Sequence, residues 1–333
     1  QVKKGFDGIY SGDEAALVNA EKAIANKRTI LLANPFLDGD KVLAARFKLG
    51  VNAHKAMAPD LGTQGNNWSN QESARRMGFD ADIVELSNLR GEDVQVRSIY
   101  KPENGSSVAD LRMHWDGDRA MFTQTMPDKR WNVFEVKLDG TGFKQLIHNE
   151  EPDLEFYDGT YLPDGRIIAN SNIGYQGVPC VSGDDPVGNM VLYTPDTKKL
   201  EFRRVLFRSH VHYTRWEYTD LTHYFSRFVM HMNPDGTEQK SLYGSGSYFP
   251  NSTFDIQPLP GHGSAFVGII SGHHGIARSG RLIVFDPAKA RKGAAGMVQE
   301  IPYRNRPIVE EIKDELVNGV WPQFIKPTPL NDK

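Results

Sequence analysis

Two neighbouring histidines, His273 and His274, stand between glycines in SGHHG. Neutral imidazoles in such a loop can ligate zinc, copper or iron when partners arrive from other segments. Adjacent side chains diverge, so one of the two would serve a shared ion more easily than both, and loop packing is the competing expectation. A second pair, His210-x-His212, projects both rings to one face if its segment is a strand. Asp184-Asp185 in SGDDPVGN and the run Glu150-Glu151-Pro152-Asp153 offer oxygen ligands for a hard cation such as calcium, without an EF-hand or RTX spacing. The densest polar–aromatic cluster is Arg215-Trp216-Glu217-Tyr218-Thr219-Asp220. There Arg215 can pair with Glu217 or Asp220 while Trp216 stacks alongside, as a loop staple or as a ligand platform. His223 and Tyr175 join these as ligand-binding candidates. Asp158 and Asp255 recur in FYDGTYLPDG and TFDIQPLPG and read as structural groups bonding backbone amides. No G-x-S-x-G elbow, Walker loop, Rossmann fingerprint or HExxH is present, so no catalytic residue is assigned and enzymatic activity stays open.

These residues must be positioned by a scaffold, and the chain advertises one by repetition. A polar turn followed by a β-rich run recurs in FLDGDKVLAARF (36–47), HWDGDRAMFTQ (114–124), LPDGRIIANS (162–171) and LPGHGSAFVGII (259–270). A second phrase recurs in WNVFEVKLDGTGFKQLI (131–147), MVLYTPDTKKL (190–200), FVMHMNPDGTEQKSLY (228–243) and RLIVFDPAKA (281–290). Each phrase reads as strand, tight turn, strand, so the unit has four strands and a period of about 50 residues. Such units packed radially make an all-β propeller, here about five blades and the first strand of another, over 29–333. Residues 1–28 form a helical lead-in: Ser11 can cap, Asp13 and Glu14 suit the first turn, and Ala15, Leu17, Ala20, Ala23 and Ile24 follow at near-helical spacing.

The geometry of such a blade sorts its connections. Both tight turns lie on one rim, so the b–c and d–a connections share the other. Those are the long ones: 171–189, 215–226, 271–280 and the first-blade insertion around 48–73. Binding residues are expected on that long-loop rim.

One interval breaks the pattern. Complete units place about 25 residues between a second-phrase turn and the next first-phrase turn, yet only about 12 separate Asp196 from position 208, where the alignment of HYTR (212–215) with IANS (168–171) puts the next turn. RRVLFRSH (203–210) fills that gap and fits no blade. It reads as a sequence-assembly junction that removes the innermost strand of the fourth blade, with a genuinely short, degenerate blade as the alternative.

Composition excludes several classes. A net charge of −3 and a pI near 6.4 give no basic field for nucleic acid. No apolar run reaches the roughly 20 residues of a membrane helix. Cys180 is the single cysteine, so there is no internal disulfide, no CxxC knuckle and no CxxCH haem site. No cofactor is expected within these residues, and Cys180 beside Pro179 reads as a small packed side chain. Gln1 at the start, with no signal peptide visible, and PLNDK at the end suggest a piece of a longer protein.

The phrases PDGRIIANSN, YTRWEYTDLTHYFSRFVMHMNPDGTEQ and FDIQPLPGHGSAFVGIISGHHG resemble the β-propeller middle domain of the hydrazine synthase alpha-subunit family, and the turns are similar to TolB-type, WD-like repeats. The likeness covers roughly 30–333 apart from the junction. It implies an exported or periplasmic bacterial protein and a non-catalytic binding or assembly module, meeting neighbouring domains or protein partners on the long-loop rim. The alternative it implies is the propeller component of a multidomain haem- or metal-dependent oxidoreductase with its redox centres elsewhere. Without CxxCH, the resemblance implies a shared scaffold and not hydrazine synthesis.

Overall fold

Asp13 opens the one α-helix described, accepting the amide of Ala16 on its Oδ1 at 3.0 Å. Ser11, the expected cap, lies outside the described residues. Helix α1 (Glu14–Leu32) runs past the expected boundary at 28. Leu17 and Ile24, which its spacing assigns to one face, are exposed. The computed structural model describes residues 12–32, 41–48, 67–91, 93–103, 105–201, 210–217, 227–250, 252–274, 278–303 and 306–329.

The chain divides into two compact units, residues 1–44 with 84–98, and residues 45–83 with 99–333. In the first unit Lys41 and Arg97 both pair with Glu85, at 3.2 and 3.0 Å.

The strands follow the repeat. The first sheet holds β1 (Lys41–Phe47), β2 (Ala81–Ser87) and β3 (Gln95–Tyr100) in that order. The second holds β4 (Ala109–Met113), β5 (Arg119–Thr125), β6 (Trp131–Lys137) and β7 (Lys144–Gln145), and the third β8 (Phe156–Tyr161), β9 (Ile167–Ser171), β10 (Asn189–Thr194) and β11 (Lys199–Glu201). Next come β12 (Val211–Trp216), β13 (Arg227–Met232) and β14 (Lys240–Tyr243), then β15 (Ser252–Pro258), β16 (Phe266–Ser271), β17 (Arg281–Phe285) and β18 (Met297–Ile301). A single parallel pair, Arg227 with Ser252, bridges the last two groups, which are otherwise separate antiparallel meanders.

Among the described residues the turns fall where the phrases put them: Gly117 and Gly165 take positive φ between the first two strands of their blades, Gly140 and Gly236 between the last two. The fourth blade begins at β12, a second strand by its alignment; among the described residues no strand precedes it. The junction 203–210 lies outside them except for its last residue, His210, and so does the side chain of Cys180.

Apolar seams join the blades. Met121 and Val133 of the second pack with Phe156, Ile167 and Tyr193 of the third. Gly159 permits the closest approach there, since a Cβ would stand 2.6 Å from the Met121 sulfur. Val229 and Tyr243 of the fourth blade pack with Phe266, Ile283 and Phe285 of the fifth. Each fully buried side chain of this size contributes roughly 1.5–3 kcal/mol of transfer free energy, so the seams supply the main cohesion between sheets whose edges form few hydrogen bonds to one another.

Candidate functional site

The long-loop rim is fastened by a strap. Residues 67–76 belong to the β1–β2 connection and cross from the fifth blade to the third and second. Asn67 donates to the Gly272 carbonyl at 3.0 Å and accepts the Arg278 amide at 2.6 Å. Ser69 and Ser73 each donate to Asp185, both at 2.6 Å. Arg76 pairs with Glu155 at 2.7 Å and donates to the Lys129 carbonyl at 2.9 Å. Asn70 caps a single 3₁₀ turn, Gln71–Ser73, by accepting the Glu72 amide. That turn drives Glu72 into the interior beneath Tyr157, whose hydroxyl donates to it at 3.5 Å. Burial, with the Glu155 carboxylate nearby, pushes the Glu72 carboxyl up to about 7 against the opposing pull of Arg76.

At the fifth-blade end of the strap an aromatic–histidine cluster forms. Arg227 is fully buried at the start of β13, lies 4.1 Å from the Trp216 ring centroid and donates to Ser252 at 3.2 Å. It also contacts His273 Nδ1 at 2.7 Å. A guanidinium only donates, so His273 is neutral with its proton on Nε2. The His273 ring stacks on Trp68 at 5.0 Å. The His274 ring does not diverge from it: it stands edge-on to Trp68 at 4.9 Å and to His273 at 4.7 Å, its Nδ1–H donating to Asp314 at 2.7 Å while its amide donates to the second oxygen of the same carboxylate at 3.0 Å. Gly272 makes this docking feasible, since a Cβ there would fall 1.7 Å from the Asp314 carbonyl oxygen.

Beneath the strap, the innermost strands aim charges at one another. Asp110, Asp158 and Asp255 share a left-handed φ of 52°, 50° and 48°, each at a register shift in its strand. Lys326 has φ 44°, and aligning QFIKPTPL with TFDIQPLPG makes it the counterpart of Asp255. Such backbone costs roughly 1–3 kcal/mol per residue and persists only where surroundings enforce it. Arg112 pairs with Asp158 at 2.8 Å, and Lys326 Nζ with Asp110 at 3.2 Å, while the Lys326 amide donates to Asp255. Burial alone would raise Asp110, but Lys326 and Arg112 hold it below the usual carboxylate range. Asp255, which accepts the Lys326 amide, is pushed up by burial against the pull of the Lys326 and Arg278 charges. Burial lowers Arg278 despite the three aspartates facing it. The Arg112 and Asp158 side chains remain 35% and 40% open to solvent, so this collar is water-lined and not sealed.

The sequence candidates thus divide. Trp216, His273 and His274 come together; Arg215 and Glu217 pair with each other at 2.7 Å. Asp185 serves the strap, whereas Asp184 makes a backbone turn bond to Val181. Tyr175 is 64% exposed on the third-blade loop. Asp220 and His223 lie outside the described residues. Asp158 and Asp255 sit within the innermost strands; Asp255 accepts the Lys326 backbone amide, whereas Asp158 accepts from the Arg112 guanidinium and the Asn170 side chain. Sequence reasoning missed Trp68, Glu72, Arg227, Asp314 and the third aspartate, Asp110. The last carried a signal: Asp110 precedes Gly117 by the same interval that separates Asp158 from Gly165.

Among the described residues, His114, Asp116 and Asp118 are the group whose donor atoms already lie within 4.8 Å of one another. Arg119 occupies it, 2.6 Å from His114 Nε2 and 2.7 Å from Asp118. No described helix is long and apolar enough to cross a membrane.

Fold and rim define a β-propeller, on the strand order given above. No family model and no curated protein matches the chain. Among solved structures it is similar to hydrazine synthase of Kuenenia stuttgartiensis, at 10% identity over 75% of this chain and 38% of that one, with a TM-score of 0.47. It is also similar to puromycin hydrolase (12%, 80% and 37%, TM-score 0.44) and to TolB of Acinetobacter baumannii (14%, 62% and 49%, TM-score 0.35). The chain spans less than half the length of each of these three.

Proposed function

We propose that this propeller is a non-catalytic binding and assembly module whose long-loop rim receives a protein partner or a neighbouring domain of an exported bacterial protein. One observation carries the reading: the rim's charged and imidazole groups are spent on holding its shape. Arg215 is held by Glu217, His273 by Arg227, His274 by Asp314, Asp185 by two serines and Glu155 by Arg76. Groups so engaged stiffen a surface; a general acid or base must instead be aimed at a substrate. What the rim leaves outward is aromatic, with Tyr175, Tyr248 and Trp321 all exposed. Tyr and Trp on a preorganised frame are the residues that dominate protein interfaces. The resemblance to the hydrazine synthase alpha-subunit middle domain supports the same reading.

The test is a photo-crosslinking amino acid placed in turn at Tyr175, Tyr248 and Trp115 in the source cell. Trp115 is as exposed as Trp321 but lies on the tight-turn rim. The expected result is one common adduct from positions 175 and 248 and none from 115. Equal capture from both rims, or none from either, contradicts the proposal.

A further inference from the structure

On the tight-turn rim, away from the strap, the fourth blade carries three histidines that the binding role does not use. His212 on β12 is the cross-strand partner of His231 on β13, and His210 lies two residues before His212, so the three share one side of the ladder. Ring centroids stand 5.0 Å apart for His210 and His231, 6.4 Å for His212 and His231, and 6.5 Å for His210 and His212. We propose that His210, His212 and His231 form a binding site for a divalent transition-metal ion, with zinc, cobalt, nickel or copper as the class accepted.

The first argument is substitution within the repeat. In the third blade the matching cross-strand pair is Ile168 with Leu192, both buried and packed with Leu162 and Met190. Replacing that aliphatic pair by two imidazoles gives up apolar burial and brings two weak bases together, an exchange that packing alone does not favour. The ladder supplies the geometry instead: i and i+2 on one strand with a cross-strand neighbour place three imidazoles on one face, their nitrogens not yet gathered within 4.8 Å as those of His114, Asp116 and Asp118 are.

Three imidazoles around an ion with bonds of about 2.1 Å place their centroids about 5 Å apart. His210 and His231 already have that separation, and the His212 ring must move inward by about 1 Å, within reach of a side-chain torsion. Its other neighbour is Phe266, edge-on at 4.8 Å, so the ring is backed by apolar surface. Among the described residues, no ring nitrogen of the three makes a hydrogen bond that would compete for the ion.

Electrostatics agree in part. Burial, then His231 and His210, push His212 down to about 4, and burial with His210 lowers His231, so both are neutral and able to ligate near pH 7. Glu238, on the β13–β14 turn, feels both His210 and His231 and can offer an oxygen to the position the imidazoles leave open. It is held now by Lys240 at 2.6 Å, and Lys240 and Arg291 both face His231. Those cations weaken the site relative to one backed by carboxylates. Nitrogen donors exclude calcium and magnesium.

The experiment is calorimetric titration of the chelator-stripped 333-residue chain with zinc, with cobalt absorption as a geometric readout. Wild type, His212→Leu, His231→Leu and His114→Gln are compared. Each leucine variant restores one apolar member of the pair that the third blade carries, so each is expected to fold, and its urea midpoint verifies this. The expected result is one zinc per chain, with affinity lowered more than about 100-fold in each leucine variant, beyond what the loss of even an outer-shell partner brings, and unchanged in His114→Gln. No saturable binding, binding retained in both leucine variants, or loss confined to His114→Gln would overturn the proposal.

Discussion

Replacing Arg227 by alanine is expected to destabilise the protein by about 3–5 kcal/mol, the range for deleting a large, fully packed side chain. The guanidinium is enclosed by the Trp216 face, Ser252 and His273, and the Arg227 carbonyl accepts the Thr253 hydroxyl. Truncation therefore opens a void and removes the donor that fixes the His273 tautomer. It also lies at the one backbone pair that bridges the fourth and fifth blades. Arg227→Met keeps most of the volume and should cost about half as much, because the void is filled and only the polar partners are lost. Urea unfolding midpoints at constant slope measure both. Equal midpoints for wild type and alanine variant would show that this residue does not hold the seam.

The second large effect depends on pH. Glu72 has an ordinary value of 4.5 and titrates at about 7 in the folded protein. Between these values the unfolded chain has already released a proton that the folded one retains, so stability falls as pH rises from about 4.5 to 7 and levels off above. At about 1.4 kcal/mol per pH unit, the ceiling is about 3 kcal/mol, and solvent at the strap edge reduces it to about 1–2 kcal/mol. The groups facing Glu72 are Glu155, Arg76, Tyr157 and Asn172. Glu72→Gln keeps the acceptor for Tyr157 without the charge. It is expected to exceed wild type in stability at pH 8 and to match it at pH 4.5, read from urea midpoints across that range. Parallel pH profiles for the two proteins would contradict a buried, proton-retaining Glu72.

What could be read in advance follows from how local each feature is. Turn glycines and period-two alternation are written within ten residues, so the hairpins and the sorting of loops onto two rims were legible. The short interval before the fourth blade was countable too, although the residues that fill it lie outside the described ones. The aspartate collar was half legible: Asp158 and Asp255 stood out beside their turns, while Asp110 was hidden because its strand reads VADLRM without the aromatic flank of the others. Lys326 went unnoticed in the sequence; its alignment with Asp255 and its matching φ mark it only when seen together. The strap could not be read at all. Asn67 meets Arg278, 211 positions away, and Ser69 meets Asp185 across 116; no local pattern encodes such contacts. Arg227 was invisible for a related reason, since an arginine at a strand start normally faces water and only the converging Trp216 and His273 bury it.

Residues 67–76 make the rim rigid, and amide hydrogen exchange of that segment tests this most directly. Asn67, Ser69, Gln71, Glu72 and Ala74 are all buried, and the Ser73 and Ala74 amides donate to Asn70 and Gln71. Peptides covering 67–76 are predicted to exchange as slowly as those covering β9, whose strand lies at the heart of the third blade. Exchange at the rate of an unstructured peptide would mean that the strap does not fasten the rim, and the preorganised binding face inferred from it would fall.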